Sequence, residues 1–191
     1  MNARFRSLNK PLLWALGVPM LIGAANLPAQ SAAAAASADW KSSPLVQEVR
    51  RATSRYRDIN NAIADGWVQG TPCVSGPNSG AMGVHFVKPE RLGDGVLNAD
   101  EPEALIYEPA GGNRFRLVGV EFITLADAWK QTHPKGDAPV LEGHLLNYTS
   151  EPNRYGLPAF YEIHVWAWEQ NNSGSFSDWN NAVSCNKQAL D

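Results

Sequence analysis

The segment ALIYEPAGGNRFRLVGVEF, Ala104 to Phe122, constrains the fold more than any other part of this 191-residue chain. Two runs rich in Leu, Ile, Val and Phe flank a glycine-asparagine cluster, the pattern of a β-hairpin with its turn at Ala110–Asn113. A hairpin commits its neighbourhood to an antiparallel sheet. Three further runs read as strands, namely MGVHFV (Met82–Val87), VLEGHLLNY (Val140–Tyr148) and YEIHVWAW within Phe160–Trp168. Turn-rich pieces such as RLGDG and SEPNRYGLP separate them. Ahead of the strands, Leu45, Val49, Ala52, Tyr56, Ile59 and Ile63 recur at helical spacing from Pro44 to Ala64. Ser42 or Ser43 supplies an N-cap before Pro44, and Asp65-Gly66 a stop. A short helix is expected over Leu125–Thr132. The expected fold is α+β: a twisted antiparallel β-sheet or partial β-barrel packed by an N-terminal amphipathic helix and carrying one disulfide.

The first 38 residues read as a secretory signal. Arg4, Arg6 and Lys10 precede the apolar run PLLWALGVPMLIGAANL, and a small-residue tract between Ala29 and Asp39 offers the cleavage positions. An uncleaved anchor is the alternative, though Pro19 and Gly23 interrupt the run and a span needs about 20 apolar residues. Residues 39–191 would then form one α+β domain, exported to the periplasm or secreted, with no integral membrane segment in the mature chain. Removing the three N-terminal cations leaves 13 basic residues against 19 acidic, so the formal charge moves from −3 to −6. Such a balance disfavours nucleic acid as a partner. Arg50, Arg51, Arg55 and Arg57 cluster on the early helix and read as a solvated face. The expected partner is a small-molecule ligand or substrate, and the oligomeric state is not encoded in any feature found.

Cys73 and Cys185 are the two cysteines, and neither has a CxxC or CxxH neighbour. In an oxidising compartment the simplest outcome is one disulfide between them.

Three strands carry a polar residue inside an apolar centre: GVHF with His85, GVEF with Glu121 and EIHVW with His164. Alternation puts Gly83 with His85, Leu117 and Gly119 with Glu121, and Glu162, Trp166 and Trp168 with His164. If these faces share one concavity, two imidazoles and a carboxylate converge. Gly83 and Gly119 would leave space for a ligand. That donor set suits a divalent metal, Zn, Fe or Cu, with open positions for hydrolytic, lyase or oxygen chemistry. His144 is a further candidate ligand, with Glu142 on its strand face. Without a metal, a desolvated Glu121 would serve as the proton-exchanging group, paired with a histidine. Trp166, Trp168 and Trp179 could wall a cleft for an aromatic or apolar ligand. The alternative function is therefore a non-catalytic exported binding protein for such a ligand. The plainer alternative makes all three polar residues ordinary hydrogen-bonded strand positions. GTPCVSGPNSGAMG lacks the GxxxxGKS pattern of a phosphate loop, and no GxSxG marks a serine nucleophile.

The segments GAMGVH, RLVGVEF and HVWAW, with the closing Ser-Cys at Ser184 and Cys185, resemble a family of small exported bacterial proteins of unassigned activity. The likeness runs from about Ala52 to Cys185. In that family the segment near the end is more often Phe-Ala-Asp-Trp-Asn-Pro, whereas FSDWNN here lacks the proline. The resemblance implies export and one domain. It implies no substrate, cofactor or catalytic residue.

Overall fold

The structure is a computed structural model that describes residues 40–188. The expected signal segment and its cleavage tract lie outside the described residues. The fold is α+β, built on a seven-stranded antiparallel sheet. The strands are β1 (Val68–Gln69), β2 (Val74–Gly76), β3 (Gly80–Val87), β4 (Ala104–Gly111), β5 (Arg114–Leu125), β8 (Asn147–Thr149) and β9 (Phe160–Val165). They run in the order β1-β3-β4-β5-β9-β8, with β2 pairing β3 beside β1. A separate hairpin joins β6 (Val140–Leu141) to β7 (His144–Leu145). The helices are α1 (Pro44–Thr53), a 3₁₀ turn (Ser54–Arg57), α2 (Ile59–Ala64), α3 (Pro89–Leu92) and α4 (Ala126–Thr132).

The β4–β5 hairpin forms as its sequence requires. Gly111 pairs with Arg114, and Gly112 and Asn113 make the turn with φ of 59° and 57°. Two left-handed residues are what a two-residue hairpin turn needs to match the strand twist. The long run Val140–Tyr148 is not one strand. Glu142 and Gly143 both take positive φ, so the chain folds back at once and His144 leaves the face that Glu142 would have shared.

The expected single helix over Pro44–Ala64 is also broken. Pro44 opens α1, although the Ser43 side chain makes no capping bond, and Leu45, Val46, Val49 and Thr53 are buried. The Thr53 hydroxyl donates back to the Val49 carbonyl, and Asp58 leaves helical geometry to cap the Asn60 N–H. The intervening 3₁₀ turn shifts the helical phase. Ala62 rather than Ile63 therefore faces inward, and Ile63 is exposed. The Tyr107 hydroxyl donates to the Tyr56 carbonyl and ties the turn to the sheet.

The sheet has two unlike faces. On one, Val84, Phe86, Leu105, Tyr107, Val120 and Phe122 pack against α1 and make the main core. On the other, two smaller apolar clusters stand apart: Ile106, Val118 and Trp166 with Ala81 and Val183, and Ala104, Ile123 and Phe160 with Tyr155 and Leu157. A polar patch lies between them. One bulge sets the division. Ile106 pairs with Gly119 but Tyr107 with Leu117, leaving Val118 unmatched. Strict alternation placed Leu117 beside Glu121; the extra residue turns Leu117 to the helix side and Val118 to the polar side. Arg114 and Arg116 remain at the surface, Arg116 between Glu108 and Glu169.

A disulfide joins Cys73 to Cys185 across 112 residues. The chain-entropy account gives such a closure about 5 kcal/mol at 25 °C. It holds the segment after β9 against the loop that leads into β2. The early arginines are used locally. Arg50 donates to the Ala167 carbonyl and lies over Trp168, Arg51 meets Glu48 and Asp100, and Arg55 meets Asp65.

Candidate metal centre

Strand register brings the three polar residues together. Glu121 on β5 pairs directly with His164 on β9, and with Ala104 on its other side. His85 on β3 lies beyond β4. Because Ala104 carries only a methyl group, the His85 ring reaches over β4, and its Nε2 stands 3.3 Å from Glu121 Oε2. The imidazoles of His85 and His164 meet edge to face, with ring centres 5.7 Å apart. All three residues are buried, and one ligand atom from each lies within 4.8 Å of the others.

Each imidazole is held from behind by its Nδ1. Thr71 Oγ1 is 3.1 Å from His85 Nδ1 and also accepts the His85 backbone N–H. Glu162 Oε2 is 3.1 Å from His164 Nδ1. A carboxylate at Glu162 can only accept, so it holds a proton on Nδ1; Nε2 then carries a lone pair in the neutral ring and a second N–H in the imidazolium. That Nε2 is buried and has no hydrogen-bond partner among the described residues. Glu162 and Asp178 form a second polar group around His164.

Burial governs the charges. It pushes His85 down to about 3, helped by the nearby His164. The 3.3 Å contact with Glu121 is therefore an approach to a neutral imidazole rather than an ion pair. Burial pushes Glu121 up to about 7, against the pull of His164 and with Glu162 and Asp178 adding to the rise. Burial would lower His164, but Glu121 and Glu162 outweigh it and raise this imidazole above its ordinary value.

A cavity of about 110 Å³ opens on His85 and Glu121, with apolar walls from Val87, Ile123, Leu157 and Phe160. The two glycines expected to make room for a ligand do something else. A Cβ on Gly83, whose φ is +100°, would stand 2.7 Å from the Tyr107 carbonyl oxygen, and one on Gly119 would stand 2.7 Å from that of Val165. Their space is filled by neighbouring backbone.

Of the other sequence candidates, Trp166 stacks beside His164, and the rest lie outside the three-residue cluster. His144 sits on the β6–β7 hairpin with its ring 3.9 Å from that of Phe176, outside the three-residue cluster. Trp166 is buried, stacked near His164, and donates its Nε1–H to the Ser177 carbonyl. The strand ends at Val165, so alternation fails beyond it. Trp168 crosses to the helix side, where its Nε1–H donates to Thr53. Trp179 covers Gly76. No tryptophan among the described residues lines the cavity. Conversely, sequence reasoning alone misses the supporting roles of Thr71 and Glu162. Glu162 was findable, since it lies two residues from His164 on one strand face. Thr71 sits in an irregular loop, and no local pattern announces its partner.

No family model, curated protein or solved structure matches the chain. What the site does must be read from its own chemistry. His85, Glu121 and His164 could hold a metal ion.

Proposed function

We propose that the chain is an exported small-molecule enzyme whose buried His85, Glu121 and His164 bind one divalent transition metal. The observation that carries this is the Nε2 of His164, deep in the sheet and without a hydrogen-bond partner among the described residues. An orphaned buried acceptor costs about 1–3 kcal/mol, and a metal removes that cost. The 3.3 Å between His85 Nε2 and Glu121 Oε2 is also about the spacing of two ligands on one tetrahedral ion with bonds of about 2.0–2.1 Å. Thr71 and Glu162 stand where partners of metal-bound histidines stand, orienting each ring through its far nitrogen. Two imidazoles and one carboxylate suit Zn, Fe or Cu, and the metal would supply Lewis acidity toward a bound oxygen. The small cavity limits water and leaves room beside Glu121 for a reacting group. The disulfide favours an oxidising compartment, in keeping with the signal-like N-terminus and the likeness to exported proteins.

The metal-free reading has its own support in Glu121, held near 7 beside a neutral His85. Such a pair can exchange protons with a substrate unaided. The aromatic-cleft reading has less behind it, because no tryptophan among the described residues lines the cavity at His85 and Glu121.

Elemental analysis of protein purified without a histidine tag decides between these. About one equivalent of metal per chain is expected, lost in His85→Ala and His164→Ala while the circular dichroism spectrum is kept. Wild-type protein that retains no Zn, Fe or Cu after loading and dialysis would sink the metal reading.

A further inference from the structure

The cavity at His85 and Glu121 adjoins a wider cleft of about 410 Å³. The two spaces share Gly70, Thr71 and Tyr155, and the cleft is completed by the Pro72–Ser75 backbone and Arg154. Among the described residues, Arg154 is the one Lys or Arg that lines either space. It also differs from every other arginine among the described residues. Arg51, Arg55, Arg91 and Arg116 pair with carboxylates. Arg50 and Arg57 lie over Trp168, and Arg114 donates to backbone carbonyls. Arg154 has no hydrogen bond, ion pair or ring contact among the described residues.

The two ends of the combined space thus differ in charge. The outer end presents a free guanidinium. The inner end has apolar walls from Val87, Ile123, Leu157 and Phe160, which suit an uncharged body. A molecule that satisfies both must carry its negative group outward and an apolar body inward. Guanidinium is the side chain best matched to a planar carboxylate or a phosphate, through two parallel hydrogen bonds.

We propose that the site takes a small organic anion, its carboxylate or phosphate group on Arg154 and its apolar body in the pocket beside His85 and Glu121. This rests on the proposed function only in placing the reacting end at the inner pocket. Thr71 and Tyr155 form the neck between the two spaces, so a bound molecule passes the residue that orients His85.

Calorimetric titration of the untagged full chain tests it, with hexanoate, benzoate and phenyl phosphate set against the neutral 1-hexanol and benzamide. Anions are expected to bind at least about tenfold tighter than their neutral counterparts, the worth of one charge-assisted hydrogen-bonded contact. Arg154→Gln is expected to remove that advantage, and Arg114→Gln, at the distant hairpin turn, to leave it unchanged. Comparing benzoate with phenyl phosphate tells which anionic group is preferred. Equal affinity for anions and neutral analogues, anion affinity retained in Arg154→Gln, or no binding by any of the three anions overturns the proposal. An anion held by a metal alone would keep its affinity in Arg154→Gln. Metal content is measured on the same samples. Metal without anion preference refutes this inference and leaves the metal centre standing, and anion preference without metal does the reverse.

Discussion

Replacing Glu103 by glutamine should change how the protein's stability depends on pH, and the structure sets the size of the effect. Glu103 immediately precedes β4 and is 2 % exposed, with its Oε2 accepting the Ile123 N–H at 2.9 Å. Burial pushes its carboxyl up from 4.5 to about 8, against hydrogen bonds from Ile123 and from its own N–H. Between these values the folded chain keeps a proton that the unfolded chain has released. Folding therefore takes up a proton there, and stability falls as pH rises from about 4.5 to about 8. At about 1.4 kcal/mol per pH unit, the loss approaches about 5 kcal/mol above the window and vanishes below it. That figure is a ceiling, because an ionising carboxylate draws in water and the fold relaxes around it. Glutamine keeps the acceptor and the volume but cannot ionise. Urea unfolding followed by tryptophan fluorescence, with the disulfide oxidised, should show the two proteins within about 1 kcal/mol of each other near pH 5. Near pH 9 the variant should be the more stable by several kcal/mol. Glu121 and His85 titrate in both proteins, so their contributions cancel in the difference. A difference that does not change with pH, or that turns toward the wild type at high pH, refutes the reasoning.

Serine at both Cys73 and Cys185 should cost about 5 kcal/mol, read as a drop in the urea midpoint that reduction of the wild type reproduces. Gly119→Ala places a Cβ 2.7 Å from the Val165 carbonyl oxygen; it should cost about 1–3 kcal/mol, and intact stability would show that β5 and β9 can separate freely. Thr71→Val and Glu162→Leu each remove the group behind one histidine, so metal affinity should fall about 10–100-fold while the circular dichroism spectrum holds. A competition titration with a chelator reads this, and unchanged affinity in both variants would deny those residues their orienting role.

Local patterns made the sheet legible because its signals are local. The hairpin from Ala104 to Phe122 is written in two apolar runs and a turn that needs left-handed residues. The polar face was legible in part, since GVHF, GVEF and EIHVW each announce a buried polar residue by its apolar flanks. Their meeting point was not. It depends on strand order, on the methyl of Ala104 and on a register that sets Glu121 opposite His164. Alternation also misplaced Leu117 and Trp168. One error came from a bulge at Val118, the other from a strand that stops at Val165. Neither leaves a periodic trace, because both are decided by pairing with distant chain. The same holds for the helix ending early at Thr53, where Asp58 caps a new helix instead of continuing the first. Arg154 and Thr71, both in irregular loops, acquire their meaning only from what the fold sets beside them.

The bridge between Cys73 and Cys185 also orders events in the life of the molecule. Cys185 follows every strand of the sheet in the chain, so during synthesis the bond cannot close until all of them have been made. Cys73 lies two residues from Thr71, the residue that aims His85. The loop carrying Thr71 is thus fastened by the last part of the fold to appear. A nascent chain can pair β3, β4 and β5 early and bury its core against α1, whereas the loop that aims His85 gains its covalent tie only when the bond closes. Assembly of the sheet and the covalent fastening of that loop become separate steps.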